Sequence, residues 1–552
     1  MRRQSKRWLR LAAIPVVLWL FLAGMNAAGG NDIYSVIQNY LPDMSNIFKE
    51  VSRRYVDEVD PEILFKAGID GMLSTLDPYT TYIEKEDKKQ LEIMTEGKYQ
   101  GVGLPITMRN KVVTVADPPF LGTPSARAGI REGDQIIKVD GAPTKGLGLD
   151  GTVQKIRGPA GTEVTLTIRR EGHPQPLEFK LIREKITVND IRYAGVIGDG
   201  IAYIQLTRFS KNAGREAAEK IRNLLEQGAD KGLILDLRYN PGGMLEAAVE
   251  ISDLFLERDA LIVSTRGRTK NSVQEFLSFD NPVYPDKPLI VLVNGFSASA
   301  SEIVAGAIQD HDRGIILGDT TFGKGLVQTV VPLSENSALK VTTAKYYTPS
   351  GRCIQKHNYS SWQDSSLQID NGEYRTEHGR VVSGGGGIIP DIVLEPERIS
   401  ELAGDMRRKS LYFNFAVHYA NTHDTWNGNY EITDEILAEF RDYVRSKNYE
   451  YTDPFEDNLK AFKKHALEKG YQDEFIRKID DLDQAIDQEK TALFEQSKED
   501  IRLELRHELA SKFLGTHRAV EIAIREDGAV QEAISIINDR NHYQNVLIAE
   551  NE

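Results

Sequence analysis

VLVNGFSASASEIVAGAIQDHDRGIILGDTTFGKGLVQ, residues 291–328, is the stretch from which the rest of the chain can be read. The apolar run Leu289 to Val293 has the pattern of a buried strand and is closed by the turn dipeptide Asn294-Gly295. Small residues follow from Ser297 to Ser301, and then Ile303, Val304, Ala307 and Ile308 recur at helical spacing. A second short strand, Ile315 to Leu317, leads into Gly323-Lys324-Gly325. A strand, a tight turn and a helix present a side chain at the helix N-terminus. Free backbone N–H groups there bind a developing oxyanion. An acyl-transfer nucleophile belongs at that point.

Three serines compete for the role, and Ser299 is the first candidate. Ser299-Ala-Ser-Glu302 also fits the capping box S-x-x-E, so the local pattern alone reads equally as a helix cap. His311 lies twelve residues further on. On one helix that is about 18 Å along the axis, which excludes a local Ser-His pair. A lysine serves as a base only when neutral, which requires burial to lower a reference pKa of about 10.4. Lys324 sits between two glycines with no acid nearer in sequence than Asp319. By itself that pattern fits a surface lysine as well as a base.

SASASEIVAGAIQD (297–310) followed by GDTTFGKGLVQ (318–328) resembles the carboxyl-terminal processing peptidases, Ser-Lys serine peptidases of family S41. In that family the middle serine of the SASAS run is the nucleophile, and a lysine 25 positions later is the base. A glutamine four residues beyond the lysine orients it. The resemblance therefore implies Ser299, Lys324 and Gln328 as the catalytic set, with no cofactor and no metal. Arg238-Tyr-Asn-Pro-Gly-Gly243 matches the family's DLRxNPGG segment, which supplies a backbone N–H to the oxyanion hole. The second donor is then the N–H of Ala300. The sequence leaves Gly242 and Gly243 both open.

The net charge of −14 argues against nucleic acid as a main partner. The single cysteine, Cys353, excludes an intrachain disulfide and reads as incidental within a polar stretch. At 552 residues the chain has room for three or four domains. Residues 1–30 read as a signal peptide or membrane anchor. Five basic residues precede the apolar run Leu11 to Met25, which at fifteen residues is short for a spanning helix of about 20. Ala27 and Ala28 make a poor cleavage site. The expectation is an exported chain: periplasmic, secreted or held at the inner membrane.

Residues 31–98 carry a helical pattern broken at Asp77-Pro78-Tyr79-Thr80, with an expected structural or dimerisation role. Residues 99–184 read as a β-rich domain, with strands at Val112–Val115, Gln135–Val139, Glu163–Ile168 and Leu177–Leu181. Ser125 to Gly141 resembles the signature of PDZ domains. Gly101-Val102-Gly103-Leu104 matches the loop that holds a peptide C-terminal carboxylate in those domains, where the peptide then pairs as an added strand. Partners implied are proteins with apolar C-terminal tails, with an adaptor or activator and a homodimer as further candidates. Arg157 is a candidate gating contact.

Residues 185–397 read as the catalytic domain. Tyr203–Ser210, Arg215–Gln227 and Gly232–Leu237 have a βαβ rhythm in an α+β multidomain chain, and the core resembles the crotonase/ClpP-like fold. Gln355 to Val382 is a polar stretch where compact relatives have a few residues, and it reads as a surface insertion that alters substrate access. Residues 398–552 read as a charged helical domain around the core or a second subunit, with a single long helix over Asp480–Phe513. Two other functions fit parts of the chain: a non-catalytic periplasmic PDZ scaffold, and a crotonase-like enzyme acting on acyl thioesters.

Overall fold

The computed structural model describes residues 33–356, 359, 372–395, 399–426, 430–451 and 454–548. The expected leader, and residues 357–358 and 360–371 of the polar stretch, lie outside them. Among the described residues no helix is long and apolar enough to cross a membrane. Two compact units divide the chain, one up to Tyr82 and one from Ile83. In the first, α1 (Ile33–Arg54) and α2 (Pro61–Leu73) are helices. Asp60 caps α2 by accepting the Glu62 N–H at 2.8 Å. The helical pattern stops where Asp77 Oδ1 accepts the N–H groups of Tyr79 and Thr80, each at 2.8 Å.

The second unit begins with α3 (Lys85–Glu96) and the strand β1 (Lys98–Gly101). A small β domain follows: β2 (Ile106–Arg109), β3 (Val112–Val115), β4 (Gln135–Val139), helix α4 (Gly148–Ile156), β5 (Glu163–Arg169) and β6 (Leu177–Ile182). β7 (Glu184–Thr187) then pairs antiparallel with β1, so the chain enters and leaves this domain through one two-stranded ribbon. The sheet order is β2–β3–β4–β5–β6, which leaves β2 with a free edge. Val164, Leu166 and Ile168 alternate along β5 and are fully buried, the period-two pattern of a strand with one face on a core.

The region expected to be catalytic runs through β8 (Ile191–Ile197), β9 (Ile201–Leu206), α5 (Ala213–Glu226), β10 (Gly232–Asp236), α6 (Leu245–Asp253) and β11 (Leu261–Gly267). It continues with β12 (Leu289–Val293), α7 (Ala300–Asp310), β13 (Ile315–Gly318), β14 (Leu326–Pro332) and β15 (Ser337–Tyr347). The hairpin β16 (Glu373–Arg375) and β17 (Val381–Ser383) and the short β18 (Ile392–Val393) complete it. The main sheet has the order β8–β9–β10–β12–β13–β18, with every pair from β9 onward parallel and β8 antiparallel at its edge. β10 and β12 are buried at every position, which explains their unbroken apolar runs. α5, α6 and α7 cover one face. β14 and β11 flank β15 in a second, antiparallel sheet.

The helices beyond residue 400 are α8 (Glu401–Arg408), α9 (Leu411–Thr422), α10 (Asp434–Ser446), α11 (Pro454–Glu468), α12 (Asp473–Gln496), α13 (Lys498–Leu514), α14 (Thr516–Glu526), α15 (Gly528–Asn538) and α16 (Arg540–Leu547). α8, α9, α10 and α13 share a core that includes Phe415, Phe440, Leu505 and Leu509. The single helix expected over Asp480–Phe513 is two helices that meet at buried Ser497. The physical reason is a change of partner. Ile501, Leu505 and Leu509 on α13 are fully buried in that core, whereas Leu482 on α12 is exposed.

α14 to α16 do something else: they cover the second face of the main sheet. Val530, Ile536 and Ile537 pack against Ile234, Ile290 and Leu292 of β10 and β12. Tyr543 also accepts the Leu289 N–H at 3.0 Å. The C-terminal region is thus partly the outer layer of a three-layer α/β/α core. It holds the β domain as well, through an ion pair between Lys512 and Glu132 and through Arg109 stacked 3.5 Å from the centre of the Phe413 ring.

The described part of the 355–382 stretch is fastened to the core by specific bonds. Arg380 binds Asp312 at 2.6 Å, and the Glu377 N–H donates to Asp310 O at 2.8 Å. The β16–β17 hairpin is therefore seated at the C-terminal end of α7. That end lies about 16 Å along the helix from Ser299. Cys353, within the polar stretch, is buried.

Candidate active site

β10, β12 and β13 are adjacent and parallel, so their C-terminal ends deliver three loops to one edge of the sheet: 237–244, 294–299 and 319–325. Ligands of open parallel sheets bind outside the carboxyl ends of the strands. Every residue of the expected catalytic set except Gln328 sits on one of these loops or at the start of α7.

The structure separates the three serines. Ser297 and Ser301 are fully buried, and their hydroxyls donate to Leu237 O and Asn240 O, each at 2.9 Å. Both are consumed in fastening the 237–244 loop to the start of α7. Ser299 lies between buried Ala298 and Ala300 and is itself only half-buried. Its backbone has φ +57° and ψ −111°, a strained combination for a residue with a Cβ. The turn therefore lifts the Ser299 side chain out of the packed layer.

Glu302 joins Ser299 to Lys324. Its Oε2 accepts the N–H of Ser299 at 2.7 Å and the N–H of Lys324 at 2.9 Å. Its Oε1 accepts the Thr321 hydroxyl at 2.6 Å and the Gly323 N–H at 2.7 Å. The carboxylate is fully buried, and burial pushes its pKa up against these four bonds, which favour the charged form. The Tyr346 hydroxyl reaches the carbonyls of the same two residues, Ser299 at 3.1 Å and Lys324. Burial first, and the Glu302 charge second, hold that phenol well above its ordinary pKa, so it stays a donor.

The lysine loop is also pinned from the roots of the polar stretch. Gly325 N–H donates to Gln355 Oε1 at 2.8 Å, and Lys356 N–H donates to Gly323 O at 3.0 Å. Gln328 lies on β14, register partner of Thr342, and its amide nitrogen is 3.4 Å from Thr342 Oγ1.

The 237–244 loop is pressed against Ser299. A Cβ at Gly242 would lie 2.6 Å from Ala298 O, 2.8 Å from Ala300 N and 3.0 Å from Ser299 Cβ, and its φ is +96°, so only glycine fits. The two glycines differ in what their N–H groups do. Gly242 donates to Asn240 Oδ1 at 2.9 Å. Gly243 pairs with Phe209 through Gly242 O and Met244 N–H, a pattern that leaves its own N–H out. Asn294 Oδ1 accepts the N–H groups of both Tyr239 and Phe296, at 3.0 and 3.1 Å. Their exposed rings stack with centroids 5.5 Å apart, an apolar platform on the rim.

In the β domain, Gly101 to Leu104 precede the free edge of β2. The carbonyls of Val102 and Gly103 accept N–H groups from Ser125 and Phe120, each at 3.1 Å. Gly103 has φ +81°, and a Cβ there would lie 2.4 Å from Thr123. Arg157 stands over the Tyr99 ring, 5.0 Å from its centre, and donates to Gln90 Oε1 at 2.8 Å. It forms part of the wall of a cavity of about 930 Å³ between the β1 ribbon, α3 and α4.

Sequence reasoning saw Glu302 only as a capping residue and did not assign Tyr346, Asn240, Asn294 or Asp236 at all. The S-x-x-E spacing was the one local sign of Glu302. The others each join a segment distant in sequence: Asn240 donates to Leu206 O, Asn294 accepts from Tyr239, Asp236 accepts from Tyr203, and Tyr346 reaches Ser299.

The pattern described as Peptidase family S41 matches residues 200–361, and that described as PDZ domain matches residues 121–170. Residues 402–537 match the C-terminal helical domain of a probable PDZ-protease, and residues 27–87 match the N-terminal domain of the activating protease CtpB. The carboxy-terminal-processing protease of Bartonella bacilliformis is 45% identical over 318 residues, 57% of this chain and 72% of that protein. Carboxy-terminal processing protease CtpA of Bacillus subtilis is 33% identical over 360 residues, 64% of this chain and 76% of its own. The carboxyl-terminal-processing protease of Synechocystis is 40% identical over 296 residues, 52% and 68% of the respective chains. With that coverage, and with an S41 region, a PDZ domain and a helical C-terminal domain in one chain, this protein belongs to the carboxy-terminal processing proteases of peptidase family S41.

Proposed function

We propose that the chain is an exported serine endopeptidase that captures protein C-terminal tails and cleaves peptide bonds through a Ser299–Lys324 acyl-enzyme mechanism. The observation that carries this reading is the division of labour among the serines. Ser297 and Ser301 are buried and bonded, while Ser299 is held out at a helix N-terminus and tied through Glu302 to the backbone of Lys324.

Lys324, acting as the uncharged amine, takes the proton of the Ser299 hydroxyl as Oγ attacks the peptide carbonyl carbon. The oxyanion rests on the N–H groups of Ala300 and Gly243, because the Gly242 N–H is already donated to Asn240. Loss of one such donor typically lowers the rate about 10²–10³-fold. The C–N bond breaks as the lysine ammonium returns its proton to the leaving amine. Water, deprotonated by the same lysine, then hydrolyses the ester and restores Ser299. Gln328, on β14 directly after the lysine loop, orients Lys324. Gly101 to Leu104 hold the tail carboxylate, β2 pairs with the tail, and Arg157 links that domain to α3. The parallel core with a reactive group at a helix N-terminus also supports a crotonase-like description of the fold.

The test is incubation of the chain lacking residues 1–30 with an unfolded protein that ends in apolar residues, once with a free C-terminus and once amidated. Products are read by mass spectrometry. Faster cleavage of the free form, abolished in Ser299→Ala, is expected. Cleavage retained in Ser299→Ala contradicts the assignment.

A further inference from the structure

A carboxylate from the C-terminal helices reaches the loop that carries Gly243. Asp527 Oδ1 accepts from Arg238 Nη1 at 3.1 Å, and its Oδ2 lies 2.9 Å from Nη2. On its other side Arg238 is held by fully buried Asp236, with Nε 3.0 Å from Oδ1 and Nη2 2.7 Å from Oδ2. The Tyr203 hydroxyl fixes Asp236 by donating to Oδ2 at 2.6 Å. One guanidinium thus bridges two carboxylates that lie 291 positions apart in sequence, and both sites are largely shielded from water.

Asp527 is held where it is by packing. It is the N-cap of α15, accepting the Val530 N–H at 3.1 Å, and α15 is bedded on Ile234 and Leu292. Those residues belong to β10 and β12, the strands whose ends carry Arg238 and Ser299. The loop between them needs holding, since Tyr239 has φ +61°, a conformation few side-chain-bearing residues adopt.

We propose that Asp527 is a positioning residue for the peptidase reaction. It fixes Arg238 and so keeps residues 239–243 at the height where the Gly243 N–H meets the substrate oxyanion. This rests on the reading of Gly243 as an oxyanion donor. The C-terminal helices then contribute to the chemistry without touching the substrate, and any partner that lifts α15 from the sheet slows the enzyme.

Asp527→Asn separates the two roles of this residue, because asparagine caps a helix as well as aspartate but carries no charge. Asp527→Glu keeps the charge and caps poorly. Both are compared with the parent, as full chains, on a peptide substrate. In Asp527→Asn, kcat should fall about ten- to a hundredfold with KM within about twofold. A peptide boronate, which mimics the tetrahedral oxyanion, should bind more weakly by the same factor. Asp527→Glu should keep more of kcat than Asp527→Asn while melting at a lower temperature. Asp527→Asn with kcat within about twofold of the parent overturns the proposal alone. A fall in kcat with unchanged boronate affinity overturns it by removing the oxyanion step on which it acts. A parent that does not cleave the peptide overturns the peptidase reading, and the proposal with it.

Discussion

Glu302 and Lys324 are joined at 2.9 Å, carboxylate to backbone N–H, and the same oxygen holds the N–H of Ser299. The two residues assigned to proton transfer are thereby fixed relative to each other through one buried group. Four donors converge on its two oxygens, and glutamine has a single acceptor oxygen with an NH₂ that would face two of them. Glu302→Gln should lower kcat/KM by about two orders of magnitude. It should also cost about 2–4 kcal/mol of stability, the scale of leaving one or two buried donors unsatisfied. Steady-state kinetics and urea unfolding of the same preparation check both.

Burial raises the Glu302 pKa above its ordinary value of 4.5. The folded chain therefore holds this proton more tightly than the unfolded chain does. The stabilisation it contributes is complete below the unfolded value and is lost as pH rises through the folded one. Activity runs the other way, because the protonated acid gives up acceptor capacity for Ser299 and Lys324. Besides the acid limb set by protonation of the Lys324 amine, the parent should show a second one in kcat above the usual carboxylate range, and only the lysine limb should remain in Glu302→Gln. Over the same interval the melting temperature of the parent relative to Glu302→Gln should rise as pH falls. Joint loss of activity and relative stability on acidification contradicts the assignment.

Ser299 has φ +57° and ψ −111°, which glycine adopts without strain. Ser299→Gly should abolish peptide cleavage and stabilise the fold by about 1 kcal/mol, while Ser299→Ala should abolish cleavage with stability unchanged. Chemical unfolding of the three proteins decides it. Equal stability of the glycine and alanine variants would show that the turn carries no strain.

Termination after Leu514 removes α14 to α16 and bares the face of the main sheet lined by Ile234, Ile290 and Leu292. Each buried aliphatic side chain contributes about 1.5–3 kcal/mol, and net stabilities are about 5–15 kcal/mol. The shortened chain should be insoluble or bind a hydrophobic dye strongly, measured by dye fluorescence and sedimentation. A soluble, active truncated enzyme would show that the sheet does not depend on these helices.

The strands of the catalytic core were legible because β10 and β12 are buried on both faces and so appear as unbroken apolar runs, Gly232 to Asp236 and Leu289 to Val293. Ser299 was legible as both a cap and a nucleophile candidate, and the structure gives it the N-cap position at the start of α7. Beyond its capping partner Ser299, the bonds of Glu302 go to Thr321, Gly323 and Lys324, brought back by β13, and a return of that kind leaves no local pattern. The Asp527–Arg238 pair is hidden for the same reason, 289 positions apart. What α15 packs against follows only from the fold. The choice between Gly242 and Gly243 turned on where the Asn240 side chain points.

The central claim is that Ser299 forms a covalent acyl-enzyme with Lys324 as its base. Rapid-quench mass spectrometry during turnover of an activated peptide ester tests it most directly. The parent should accumulate an acyl adduct on the proteolytic fragment containing Ser299, Ser299→Ala should show none, and Lys324→Ala should form it at least about a hundredfold more slowly. An adduct on any other residue, or ester turnover undiminished in Ser299→Ala, would contradict the account.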